Sequence, residues 1–328
     1  MNKEITKTII KRILSSILVL FLLITFLFFL LRVSPGTPYQ KFVSPELSPK
    51  LSSIVKKSFN LDSPLPNQYK SFIINLVQGD FGISYTYRIP VIEVIKNYLP
   101  FTLIFSLISF VIQLSLGFLL ALISVKKING FLDSTISKTS LFFYSIPSFV
   151  IGVFLILIFS DWLNIFPSSG LNSFDFNSYT LLGKLADYTT HMILPLITLS
   201  LGGIIIFYKY LRDNLVEVYN KSFVENLRMH GFSEKYITRK HVIPNAISPL
   251  ISVVGVELGL LFGGTLITEV IFSLPGMGRL TVNAILSRDY PLVIGCTFVV
   301  GTLIIITNLA ADIIKAKLDK RLLKGILN

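Results

Sequence analysis

Charge is scarce in this chain: only 15% of its 328 residues are Asp, Glu, Lys or Arg, against about 25% in an ordinary soluble domain. Cysteine is nearly absent. The single Cys296 excludes an internal disulfide and any thiolate metal cluster. The three histidines, His191, His230 and His241, are scattered without ligand spacing, so no metal-ligating residues are assigned. No Gly-x4-Gly-Lys-Ser/Thr occurs, so the chain has no loop of its own to cradle nucleotide phosphates. A Ser-His-Asp set and HExxH are also missing. These absences make a membrane enzyme a distant reading, and no catalytic residue and no cofactor is expected.

Apolar sequence is abundant: 52% of residues are hydrophobic. Residues 13–31, ILSSILVLFLLITFLFFLL, are uncharged and long enough to span a bilayer. The run is longer than a signal-peptide core and no small-x-small site follows it, so it reads as a retained first helix. Five further spans are expected at about 100–125, 139–162, 191–210, 248–272 and 291–314, with Pro147 and Pro195 as tolerable kinks. The fold class is therefore an all-α integral membrane protein with six transmembrane helices and a long external loop after the first.

Net charge is +12, and its distribution points to topology. Four Lys and Arg precede the first run, three lie at 126–138, seven at 209–240 and five at 315–324. The two short loops on the other side hold only Lys184, Arg279 and Arg288. That asymmetry places both termini and the 209–240 region in the cytoplasm. The long loop, 32–99, carries eight basic residues, but the rule has little force over such a length.

Four regions follow: 1–31, the cytoplasmic N-terminus and first helix; 32–99, the external loop; 100–314, a five-helix core; and 315–328, a cytoplasmic tail. Within the core lies a polar, basic stretch, Ser222 to Ala246, between two apolar runs. Ser222 and Glu225 have capping-box spacing, which predicts a helix from Phe223 with Phe223, Val224 and Leu227 on one face. Gly231 would end that helix in a left-handed conformation. Ser233 would cap a second helix, closed by Pro244. An ordinary connector hairpin and a DNA-binding helix-turn-helix share this local pattern; the adjacent spans argue against nucleic acid.

Several blocks together carry a resemblance. Glu225, Gly231 and His241-Val242-Ile243-Pro244 are similar to the cytoplasmic EAA loop of binding-protein-dependent ABC importers, with Asn226 and Leu227 replacing alanines and His241 an isoleucine. Leu61-Asp62-Ser63-Pro64, with a short amphipathic helix at 67–78 and then Gly79-Asp80-Phe81-Gly82-Ile83-Ser84, resembles the oligopeptide, dipeptide and nickel branch. So do Pro35-Gly36-Thr37-Pro38, Ser145-Ile146-Pro147, Leu194-Pro195, Glu269-Val270-Ile271-Phe272 with Pro275-Gly276-Met277-Gly278, Ser287-Arg288-Asp289-Tyr290-Pro291, Asn308-Leu309 and Asp312. Lys315 and Lys320 depart from the branch pattern in the tail.

The resemblance implies a type I ABC importer permease in a bacterial cell membrane. Its implied partners are a second homologous permease, one or two P-loop ATPase subunits and an external solute-binding protein. It also implies an ATPase-coupling loop, 217–246, carrying Phe223, Glu225, Leu227, Arg228, Gly231 and Pro244. The cargo would be short peptides, with nickel or a metal chelate as the alternative. A stand-alone secondary transporter or channel is the other class, but no inverted repeat is visible, and only Glu257 and Glu269 are charged residues lying more than two positions inside a span.

Span five carries two further expectations. Gly255, Gly259 and Gly263 share one face, suited to close approach of a helix from this chain or from a partner permease. Glu257, Gly264 and Thr268 fall on another stripe, a candidate border of the translocation path unless Glu257 instead hydrogen-bonds a neighbouring helix.

Overall fold

The structure, a computed structural model, describes residues 3–33 and 64–318, with the side-chain surroundings of 3–8, 251–252, 262–264 and 314–318 undescribed. Among the described residues it is helical apart from one isolated bridge, Ile83 with Pro90. The Pro35–Pro38 turn, Asp62, Lys320 and the side chain of Lys315 lie outside the described residues.

Helix α1 (Lys3–Val33) follows the first apolar run. Pro64 starts α2 (Leu65–Val77), where its fixed φ suits the first turn. Tyr69 and Phe72 of α2 pack on Phe28 at ring distances of 5.4 and 4.8 Å, and the Tyr69 hydroxyl bonds Thr25 at 2.9 Å. Helix α3 (Val91–Ser124) crosses next, with Pro100 inside it.

The third expected span is broken. Helix α4 (Phe131–Tyr144) and the segment Ser148–Trp162 meet at an angle of 97°; the latter comprises α5 (Ser148–Leu155) and a π-helical continuation, Ile156–Trp162. Pro147, at φ −57° and ψ 137°, supplies no N–H and leaves the helical region, so the chain turns instead of kinking. Among the described residues there are thus five unbroken helices long and apolar enough to cross a membrane, and six spans when the bent pair counts as one.

Helix α6 (Leu181–Tyr219) has 39 residues, not the twenty expected. At 1.5 Å per residue it is about 58 Å long, roughly twice a bilayer's hydrocarbon thickness. Its carboxyl end therefore carries the next loop clear of the apolar zone. After that loop, α9 (Ile243–Ile271), α10 (Met277–Ser287) and α11 (Tyr290–Leu318) complete the bundle.

Helices α3 and α6 are joined inside the bundle by polar groups. Ser109 and Ser200 share a hydrogen bond of 2.8 Å, and Gln113 donates to the Leu199 carbonyl at 3.2 Å. In an apolar medium such bonds add to packing, because a buried polar group has no water to turn to. At one end of the bundle, the buried Leu211, Leu215, Val224, Ile237, Val242 and Ala246 form a core around the 222–242 loop. At the other, Val91, Ile95, Leu280, Leu292 and Cys296 form a second core beneath the 79–90 hairpin.

Candidate functional site

The 222–242 loop has a buried root and an exposed tip. Helix α7 (Ser222–Met229) starts one residue earlier than expected, with Lys221 as N-cap and no side-chain cap bond. The Ser222–Glu225 capping box is not formed, because Ser222 is already inside the helix. Phe223, Val224 and Leu227 fall within an arc of about 100°, but they are buried to different depths. Val224 is 0% exposed and Leu227 packs beside it on the core, whereas Phe223, at the edge of the arc, is 36% exposed.

Gly231 takes φ +81°, and Phe232 N–H donates to the Leu227 carbonyl at 3.2 Å. No atom stands within 4 Å of where a Cβ would be, so glycine is demanded by the backbone and not by crowding. Ser233 caps α8 (Glu234–Ile237), accepting from Tyr236 N–H at 3.4 Å. Pro244 does not end that helix. A π-turn, Thr238–Val242, leads directly into α9, and Pro244 lies in the first turn of α9, where the missing N–H is harmless. From Glu234 to Ile271 the backbone is therefore one continuous helical run.

Arg228 and Glu234 bridge the turn, with Nε to Oε1 at 2.5 Å. Their mutual hydrogen bond holds the Glu234 carboxyl below the usual glutamate value and raises Arg228. Around this clasp Met229, Phe232 and Tyr236 stand exposed, with Phe232 stacked on Tyr236 at 5.1 Å. Glu225 is exposed as well.

The structure separates the two stripes of span five. Gly255 faces Ala311 of α11, and a Cβ on Gly259 would lie 3.0 Å from Asn308 Oδ1. Both glycines thus pack against this chain's own last helix, and Arg12 of α1 pairs with Asp312 nearby. Gly263 and Gly264 belong to α9, but their surroundings lie outside the described residues. Glu257 is partly exposed, while Thr268 is 2% exposed. Among the described residues nothing hydrogen-bonds Glu257, and Thr268 is sealed inside the bundle.

Three buried acids do work that the sequence reading did not assign. Glu269, 0% exposed, accepts from Thr102 Oγ1 at 2.7 Å, Gly278 N–H at 2.7 Å and Arg279 N–H at 3.2 Å. Thr102 Oγ1 in turn accepts from Met277 N–H at 2.8 Å. The first amides of α10 thus point at a carboxylate, as the positive end of a helix favours. Gly276 and Gly278 have no room for a Cβ beside that carboxylate. The signal was present: an acid in an apolar run, with glycines seven and nine residues later.

Asp289, also 0% exposed, accepts from Ser84 Oγ and, at 2.9 Å, from Thr86 N–H. It joins two blocks separated by 205 positions, Gly79–Ser84 and Ser287–Pro291. Asp133, 1% exposed, takes Arg212 Nε at 2.9 Å and Nη2 at 2.7 Å, with Ser124 and the Asn129 amide as further donors. That cluster ties the ends of α3, α4 and α6 together beneath the projecting loop.

Apolar helices long enough to cross a membrane, with a hairpin fixed at one end and a loop projecting at the other, define a polytopic membrane protein. Residues 113–324 match the family model of the binding-protein-dependent transport system inner membrane component, and residues 5–106 match the corresponding N-terminal model. The chain belongs to this family of permease subunits. It is 32% identical to a dipeptide transport system permease of Lactococcus lactis subsp. cremoris over 96% of this chain and 98% of that one. It is also 32% identical, with the same coverage of both, to an oligopeptide transport system permease of Bacillus subtilis. A nickel import system permease of Staphylococcus aureus is 31% identical over 97% of this chain and 92% of its own length.

Proposed function

We propose that this chain carries short peptides inward as one of two homologous permease subunits of an ATP-driven importer, each lining half of the path. The 222–242 loop is cytoplasmic, as are both termini, and one or two separate P-loop ATPase subunits dock on it. An external solute-binding protein delivers cargo at the opposite end, near the 79–90 hairpin. The single observation that carries this reading is the architecture of the loop. Exposed Phe223, Met229, Phe232 and Tyr236 surround the Arg228–Glu234 clasp, while buried Val224, Ile237 and Val242 fuse the same loop to α6 and α9. A push on the exposed side is thus transmitted to two spans as a rigid displacement. Glu225, Leu227, Gly231 and Pro244 shape that element.

Glu257 borders the path on α9, with Gly264, and offers a carboxyl to a peptide amine. Thr268 would join that border only if α9 turns. The peptide reading rests on the dipeptide and oligopeptide relatives, and the nickel relative favours a metal chelate as the second reading. Uptake of labelled di- and tripeptides and of radioactive nickel in a deletion strain complemented with this gene separates them. Peptide uptake restored by the wild type and altered by Glu257→Gln supports the proposal. Restored nickel uptake without peptide uptake overturns it in favour of the second reading.

A further inference from the structure

At the end of the bundle opposite the Gly231 loop, a cavity of about 350 Å³ lies between α1, α2, the 79–90 hairpin and the start of α11. Its lining mixes apolar side chains, Phe28, Phe72, Phe81 and Ile294, with polar ones, Arg32, Gln68 and Tyr290. Tyr290 is only 9% exposed, and its hydroxyl has no hydrogen-bond partner among the described residues. A buried hydroxyl without a partner is uncommon in a native fold and calls for an explanation.

Arg32 is the second observation. Its guanidinium rests over the Phe28 ring at 5.1 Å, and the Tyr85 and Tyr290 side chains lie within electrostatic reach of it. Among the described residues no carboxylate stands within ion-pair distance of Arg32. Asp80 also lines the cavity, but it is exposed and its Oδ1 already accepts from Gly82 N–H at 2.8 Å. Among the described residues the cavity thus presents a cation without an ion-pair partner beside a hydroxyl without a hydrogen-bond partner.

Position narrows the ligand. Arg32 is the penultimate residue of the Ile9–Val33 span, so its head lies where hydrocarbon gives way to headgroups. The same helix exposes Leu14, Leu18, Leu22 and Phe26 along its length, as a lipid-facing helix does. A guanidinium fork matches the spacing of phosphate oxygens better than a point charge would.

We propose that this cavity binds a phosphate group, held by the Arg32 guanidinium and the Tyr290 hydroxyl. The source is either the headgroup of a membrane phospholipid, with its chains lying along α1, or a soluble phosphate. The two differ in what must accompany the anion: the apolar part of the lining serves only the lipid.

The test uses the full-length chain, delipidated in neutral detergent, titrated separately with dihexanoyl phosphatidylglycerol and with inorganic phosphate. Native mass spectrometry reads adducts, and scanning fluorimetry reads the shift in Tm. The expected result is a lipid adduct weakened at least tenfold in Arg32→Gln and several-fold in Tyr290→Phe, with Lys96→Gln unchanged. Inorganic phosphate binding with the same variant dependence, and no lipid adduct, assigns the site to a soluble phosphate. Should Arg32→Gln fail to insert, Tyr290→Phe carries the test, since it removes one oxygen that makes no hydrogen bond among the described residues. Equal binding of both probes by wild type and Tyr290→Phe, or no binding of either probe by the wild type, overturns the proposal.

Discussion

Replacing Glu269 with alanine removes the hub on which α10 is mounted. The carboxylate is 0% exposed and receives three donors: the Thr102 hydroxyl and the amides of Gly278 and Arg279. Each buried donor left without an acceptor costs about 1–3 kcal/mol. Three donors set an upper range of roughly 3–9 kcal/mol, and water entering the vacated volume brings the expectation to about 3–5 kcal/mol. Glu269→Gln keeps shape and one acceptor oxygen but turns an NH2 group toward one of the donors. One conflict remains, so about 1–3 kcal/mol is expected. Gly278→Ala reaches the same end sterically, because its Cβ would meet the Leu266 backbone and the Glu269 carboxylate. Scanning fluorimetry of the purified protein in detergent should rank the variants, with Gln the mildest. Glu269→Ala should lower Tm by roughly 5–10 °C, taking about 2 °C per kcal/mol for a chain of this size. An alanine variant melting with the wild type would refute the hub and with it the reading of Gly276 and Gly278.

Gly231→Val places a β-branched residue at φ +81° and should abolish transport, whereas Gly231→Asn, which tolerates that region, should retain much of it; uptake with equal membrane levels checks both. Glu225→Lys should also stop transport without lowering Tm, because Glu225 is exposed and away from the core. Asp133→Asn breaks the bidentate contact with Arg212 and should cost about 3 kcal/mol, read as a lower Tm and faster proteolysis near residues 124–137. Gly259→Leu should destabilise the isolated chain, since α11 Asn308 stands where the side chain would go; unchanged melting together with loss of a partner permease would move that face to the subunit interface. The Arg228–Glu234 clasp is exposed at both ends, so Glu234→Gln should cost less than about 1 kcal/mol. Glutamate with a lowered folded value stabilises above its unfolded value and loses this as pH falls through the folded one, so the difference between variant and wild type should be full above the ordinary glutamate value of about 4.3 and shrink progressively below it.

The sequence by itself determined the class and the course of the chain. Long uncharged runs can cross a bilayer only as helices, because an apolar medium leaves backbone groups no other partner. Glycine at position 231 announced a left-handed turn, and Ser233 announced a cap, since both effects act within a few residues. What failed were boundaries decided by neighbours. Ser222 has capping-box spacing, yet the helix starts at Ser222 itself with Lys221 as N-cap, so the box is not formed. Pro147 and Pro195 look alike in sequence, but α6 runs through Pro195 whereas the chain turns by 97° at Pro147. Pro244 reads as a stop until α9 is seen to begin there.

Only tertiary structure showed which distant residues share a carboxylate. Glu269 with Thr102, Asp289 with Ser84 and Asp133 with Arg212 are separated by 167, 205 and 79 positions. No local rule links them, because an acid inside an apolar run states only that it needs partners. Which donors arrive is settled by how the helices pack, and the same packing turned Gly255 and Gly259 toward α11 of their own chain.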